Sequence, residues 1–210
     1  AFSTAITEFG LKDKRVFTVA ADSESRFGAF VKEAPERAIN VGIAEQNAMS
    51  IAAGLAFCGK IPFVSTYATF LTMRAFEQIR TDIAFANLNV RIVGTNVGAS
   101  SDWLGFTHQA FEDISIMRTL PNMTVLVPAD GAETYYLVKA LLDHEGPAYL
   151  RIRSTGSEPH IPGNDTIEIG KARLLREGND ITIAACGRMV HEALMAADKL
   201  AQDGVKARVL

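Results

Sequence analysis

Six short apolar runs, at 16–19, 62–65, 90–93, 124–127, 148–152 and 181–184, are rich in β-branched residues and separated by helix-length stretches. Within each run the apolar residues are nearly continuous; Ala148-Tyr-Leu-Arg-Ile152 is typical. A strand half-exposed to water would alternate apolar with polar, whereas a strand covered on both faces reads continuously, as in a parallel sheet. The intervening segments, near 43–57, 69–86, 109–119, 130–144 and 188–203, carry helical patterning. Strand, helix and strand repeated in this way give right-handed crossovers and a layered sheet. The expected fold class is therefore α/β: a three-layer, doubly wound, mainly parallel sheet, followed by the start of a second α/β domain.

That second domain is inferred from a breaker-rich stretch, Gly156-Ser-Glu-Pro-His-Ile-Pro-Gly-Asn-Asp165, which reads as a linker. After it, 166–176 predicts a short pair of strands, and 180–210 a new β-α-β unit. The expected organisation is a domain over 1–155, a linker over 156–166 and a truncated domain over 167–210. Ala1-Phe2 without Met and a stop within the apolar Val209-Leu210 suggest a chain cut at both ends. With Lys+Arg 21 against Asp+Glu 24 there is no basic excess, which argues against nucleic acid or an anionic membrane as partner. The longest stretch without a charge, 46–59, has fourteen residues and is too short to span a bilayer. No signal peptide is evident. Cys58 and Cys186 make neither a disulfide framework nor a metal cluster, and the expected location is the cytoplasm.

In open parallel sheets ligands bind beyond the carboxyl ends of the strands. Polar residues following the runs are Asp22, Ser25 and Arg26; Asn40 and Glu45; Thr66, Tyr67, Thr69 and Phe70; Asn96, Ser100, Ser101, Asp102 and His108; Asp130; and Arg151 and Arg153. Glu45 opens a segment of small and apolar residues, Gly42-Ile-Ala-Glu-Gln-Asn-Ala-Met-Ser-Ile-Ala-Ala-Gly-Leu-Ala56. It is either an exposed acid in a first helical turn, or a buried carboxyl that must be protonated or hydrogen-bonded by a ligand. A buried, protonated Glu can serve as a proton donor. His108, in a Gly-containing loop, is either a turn residue or a catalyst. Tyr67 and Phe70 are core residues or a stacking surface for a flat ring. Ser25 and Arg26 either bind a phosphate or face water. Arg151 and Arg153, flanking Ile152, point to one face and suit surface ion pairs.

Asn40-Val-Gly-Ile-Ala-Glu-Gln-Asn47 with Ala53-Gly-Leu-Ala56 resembles the pyrimidine-binding domain of thiamine-diphosphate enzymes of the transketolase group. Tyr67-Ala-Thr-Phe-Leu71, Thr107-His-Gln109, Glu112-Asp-Ile114, Pro121-Asn122 and Pro128-Ala-Asp130 continue the resemblance in order, and Gly170 to Leu210 is similar to the start of the family's C-terminal domain. The resemblance implies that Glu45 hydrogen-bonds the cofactor's aminopyrimidine, promoting formation of the thiazolium carbanion that attacks a ketose. It implies that Tyr67 and Phe70 lie against the pyrimidine, that His108 points to the reacting centre, and that Asp22 lies near the cofactor across the boundary between two subunits. Ser25, Arg26, Asp102 and Arg153 would then meet substrate, including its phosphate.

Two departures bear on the substrate: Leu104 stands where many relatives carry an acid, with Asp102 the nearest acid, and Asn96 stands near a histidine of transketolases. No Gly-Asp-Gly motif occurs, so Mg²⁺ and the diphosphate would be held by another chain or domain. The resemblance thus implies thiamine diphosphate as cofactor, a sugar phosphate as substrate and assembly as a homodimer or heterotetramer with a diphosphate-binding subunit or domain. A deoxyxylulose-phosphate synthase using pyruvate, and a non-catalytic partner of the same fold, are the alternatives.

Overall fold

The computed structural model describes residues 1–100, 102–153, 159–163 and 167–210. Strands β1 (Val16–Ala20), β2 (Ala38–Asn40), β3 (Ile61–Tyr67), β4 (Arg91–Thr95), β5 (Thr124–Leu126) and β6 (Ala148–Arg151) form one sheet, ordered β2-β1-β3-β4-β6-β5. Every pairing in it is parallel. Helices α1 (Phe2–Lys12), α2 (Phe30–Glu33), α3 (Glu45–Phe57), α4 (Phe76–Gln78), α5 (Asp113–Arg118) and α6 (Gly131–Ala140) connect and cover it.

Consecutive strand residues serve opposite cores, which is why the runs read as continuous. Phe63, Val93 and Leu150 pack with Phe2, Ile6 and Leu137 on the α1 and α6 side. Val64, Ile92 and Tyr149 pack with Met49, Leu71 and Met117 on the α3 and α5 side. Pro62 of β3 is in register with Phe17 of β1, but the Ile61 N–H donates to the Arg15 carbonyl on that side, so the Pro62 nitrogen faces β4, whose pairing begins only at Phe63. At the start of β4, Arg91 is fully buried and donates to the carbonyls of Leu141 (2.8 Å), His144 and Gly146. Burial pulls its guanidinium down to about 10, and it remains charged at neutral pH.

The long helix expected over 69–86 is interrupted. Two π-helical turns, Phe70–Arg74 and Ile79–Ala84, flank α4. The hydroxyl of Thr72 donates to the Ala68 carbonyl (2.8 Å) and that of Thr81 to the Glu77 carbonyl (2.9 Å), the kind of local competition that bends helices. The helix expected from 109 begins only at Asp113, because Gly98 and Ala110 form an antiparallel bridge that holds the preceding residues extended.

Beyond the large sheet, β7 (Ile181–Ile183), α7 (Met189–Gln202) and β8 (Ala207–Val209) make the expected parallel β-α-β unit. The strand pair expected over 166–176 is not formed among the described residues, where Arg176 makes an isolated bridge with Val209. Helices α1 and α2 and strand β2 went unanticipated. The three-residue β2 is too short to show periodicity, whereas α1 carries a legible helical stripe of Phe2, Ala5, Ile6 and Gly10. Residues 156–158 and 164–166 of the expected linker lie outside the described residues. No helix among the described residues is long and apolar enough to cross a membrane.

Candidate active site

The strand order creates a switch point. From β1 the chain moves outward to β2, then returns through α3 to β3 on the other side of β1. Loops leaving β1 and β3 therefore diverge, and a crevice opens at their carboxyl ends. Asp22 follows β1, Tyr67 ends β3, and Glu45 begins α3 at the same edge.

Glu45 is buried, at 2% exposure, ahead of the buried Ala48 and Met49. The small residues of the segment allow this close packing. The carboxylate is not left without a donor, as burial alone would suggest: Arg74 Nη1 donates to Glu45 Oε2 at 2.9 Å. Arg74 is half-exposed, and its guanidinium carbon lies 4.5 Å from the centre of the Phe70 ring. Sequence reasoning missed Arg74. The available signal was its place one turn after Phe70, on a segment already assigned to the site.

Three rings meet beside this pair. Tyr67 and Phe70 have centroids 5.7 Å apart, and His108 stands edge-on to both, at 5.0 and 5.1 Å. His108 reaches them from the turn Phe106–His108, whose loop is folded back by the Gly98–Ala110 bridge. Thr107 Oγ1 lies 3.0 Å from His108 Nδ1, which orients the imidazole. The Arg26 guanidinium also lies against Tyr67, 4.9 Å from the ring centre, and donates to Asn96 Oδ1 at 3.2 Å. Burial lowers the Arg26 guanidinium from its ordinary value, with Tyr67 partly offsetting this. Arg26 Nε is buried without a hydrogen-bond partner. Glu45, Arg74, Phe70, His108, Tyr67, Arg26 and Asn96 thus form one unbroken chain of contacts.

Other expected residues fall around it. Asp22 is exposed, in the left-handed region at φ 57°, with its N–H bound by Asn40 Oδ1 (3.2 Å). Ser25 is exposed in the turn Glu24–Phe27. Asp102 belongs to the turn Asp102–Leu104, on the loop leading to His108. Ser101 lies outside the described residues. Arg153, half-buried, joins Arg26, Arg151 and Arg188 around a cleft of about 680 Å³ that runs from Thr95 to Asp130.

Arg151 and Arg153 are not a matched surface pair. Arg151 Nε donates to the fully buried Asp113 (2.7 Å), which also accepts from the Tyr149 hydroxyl (2.7 Å). Burial first, then Asp113, pushes the Tyr149 phenol well above its ordinary value. Asp130 is an N-cap: its Oδ1 accepts from Glu133 N–H (2.8 Å), while the Glu133 side chain accepts from Ala129 N–H (2.5 Å).

A buried carboxylate beside a ring-lined surface suits a flat, N–H-bearing heterocycle such as an aminopyrimidine. No group of three His, Cys, Asp or Glu placed to hold a metal ion occurs among the described residues. The buried Glu45 and the Tyr67–Phe70–His108 rings fit the pyrimidine end of thiamine diphosphate.

Comparison with known proteins accords with this geometry. Residues 1–155 match the family "Transketolase, pyrimidine binding domain", and residues 170–210 match "Transketolase, C-terminal domain". The 6-deoxy-6-sulfo-D-fructose transketolase subunit of a Clostridium species is 42% identical over 98% of this chain and 64% of its own length. An apulose-4-phosphate transketolase subunit of Phocaeicola vulgatus is 38% identical over 100% of this chain and 68% of its own. The chain thus spans about two thirds of the length of these relatives. A solved structure described as "Split gene transketolase, inactive beta4 tetramer" superposes with TM-score 0.89 at 44% identity, covering 99% of this chain and 68% of that one. A Pichia stipitis transketolase at 24% identity, covering 100% of this chain and 34% of its own, shares the fold with TM-score 0.82. On the match over residues 1–155, the chain belongs to the transketolase family, through its pyrimidine-binding domain.

Proposed function

We propose that this chain supplies the pyrimidine side of a thiamine-diphosphate site in a transketolase that transfers a two-carbon ketol unit from a sugar phosphate donor to an aldose acceptor. The observation that carries the reading is the buried Glu45 carboxylate beside the Tyr67–Phe70–His108 ring cluster at the switch point. Thiamine diphosphate held there would supply the carbanion chemistry that a ketol transfer needs. Glu45 orients the aminopyrimidine and shares a proton with its ring nitrogen; Tyr67 and Phe70 flank the ring. His108 faces the reacting centre, Asp22 approaches the cofactor from across the boundary between two subunits, and Ser25, Arg26, Asp102 and Arg153 meet the substrate. The chain divides into a pyrimidine-binding domain (1–155), a linker (156–166) and the truncated start of a C-terminal domain (167–210).

Mg²⁺ and the diphosphate are assigned to a partner subunit or domain, in a cytoplasmic homodimer or heterotetramer. Relatives whose names describe them as transketolase subunits support this division of labour. In the assembled enzyme, Glu45→Gln is expected to lower turnover by about 10²- to 10⁴-fold, the usual contribution of a positioned proton donor. Near-wild-type turnover would overturn the mechanism.

A second reading is a synthase that condenses pyruvate with an aldehyde. Its support is similarity to the 1-deoxy-D-xylulose-5-phosphate synthase of Desulforudis audaxviator, 37% identical over 100% of this chain and 33% of its own length. Product analysis with pyruvate plus glyceraldehyde phosphate, against a ketose donor plus an aldose, separates the two.

A further inference from the structure

The place where Glu45 would meet a ring already holds a planar cation. Arg74 Nη1 donates to Glu45 Oε2 at 2.9 Å, and the same guanidinium lies over Phe70, 4.5 Å from the ring centre. A flat heterocycle bound there would make the same two contacts, an N–H to the carboxylate and a face to the aromatic ring. The partners differ in freedom. The Glu45 side chain is 3% exposed and fixed on α3, whereas the Arg74 side chain is 47% exposed. Arg74 is therefore the member of the pair able to leave. It also has a reason to be present, since a buried carboxylate without a donor is costly. The wide turn Phe70–Arg74 sets the ring and the guanidinium one turn apart on the same segment, so both reach the start of α3 together.

The geometry points to Arg74 as a built-in stand-in for the cofactor's aminopyrimidine, a side chain that the ring must displace to reach Glu45. This rests on the thiamine-diphosphate reading above. Guanidinium and ring would occupy the same place beside the Glu45 carboxylate, so the cofactor loses in affinity what the Arg74–Glu45 pair gains in its absence. The unliganded chain keeps its buried acid paired, and the ring enters once the partner's hold on the diphosphate outweighs that pair. Loading is thereby coupled to assembly.

The test is calorimetric titration of thiamine diphosphate, with Mg²⁺, into the chain assembled with its diphosphate-binding partner, comparing wild type with Arg74→Met and Arg74→Lys. Thermal melts of each unliganded chain accompany it. Arg74→Met is expected to bind the cofactor on the order of tenfold more tightly, the equivalent of one charge-assisted hydrogen bond removed from the competition. Its unliganded chain is expected to melt at a lower temperature, with Arg74→Lys intermediate in both. Binding by Arg74→Met where wild type binds undetectably would support the inference most strongly. Unchanged or weaker binding by both variants, with wild type binding, would overturn the stand-in role and leave the cofactor reading intact. An unchanged melting temperature would overturn it too, because the pair would then not form without ligand. Absence of binding by wild type and both variants would overturn the stand-in and the cofactor reading together.

Discussion

His144 shows how a single side chain here takes its chemistry from its surroundings. Burial first, and then the charge of Arg91, lower its imidazole from the ordinary value of 6.5, and its Nε2 lies 3.1 Å from Thr124 Oγ1. A histidine with a depressed folded-state value stabilises the fold above the unfolded value and loses that contribution as pH falls through the folded one. The urea midpoint is therefore expected to drop as pH falls below 6.5, and His144→Gln should flatten that dependence. An equally steep fall in the variant would assign the effect elsewhere. Glu45 draws on its environment in the same way. The run of small residues around it left burial as one of two readings, and its cation was not legible at all, since Arg74 lies 29 residues further along the chain. Asp113 and Arg151, 38 residues apart, were equally invisible as a pair. Residue types indicate what a side chain can do, and partners at such separations are chosen by the packing of elements.

At the scale of elements, the approach of β4 to β6 sets the limits on substitution. Gly94 in β4 lies against Tyr149 in β6; a Cβ there would stand 2.5 Å from the phenolic oxygen. That oxygen donates to Asp113, which also anchors Arg151 at the edge of the cleft. Gly94→Ala is expected to cost about 1–3 kcal/mol by overpacking, measurable by urea denaturation; a change within about 0.5 kcal/mol, as at an unconstrained surface site, would show that Tyr149 has room to move. The strands themselves were legible because a strand buried on both faces leaves a continuous apolar run. The helical segment after β3 was legible in extent but not in kind, since its π-turns accompany hydroxyl-to-carbonyl bonds from Thr72 and Thr81 that apolar periodicity does not register.

Across the whole molecule, the described residues form two cores of different size. The large sheet has apolar packing on both faces. The β7–α7–β8 unit has a small core of Ala193, Ala197, Ala207 and Val209. Gly187 N–H donates to the Val127 carbonyl (3.1 Å), and Val190 packs with Ala129 and Ile161, to link them. Amide exchange is expected to be slowest in β3 and β4, central in the sheet and buried, and faster in β7 and β8. Equal protection of all four strands would mean that the two parts open as one. The sequence by itself determined the class of fold, five of the six strands of the large sheet, and the residues Glu45, Tyr67, Phe70 and His108 placed at its carboxyl edge, because periodicity and strand ends are local properties of the chain. Only the tertiary structure decided that three of those residues share a ring cluster, that Glu45 is paired with Arg74, and that Arg151 turns inward to Asp113. Each of those facts depends on which elements pack together, and packing follows from apolar burial summed over the whole chain.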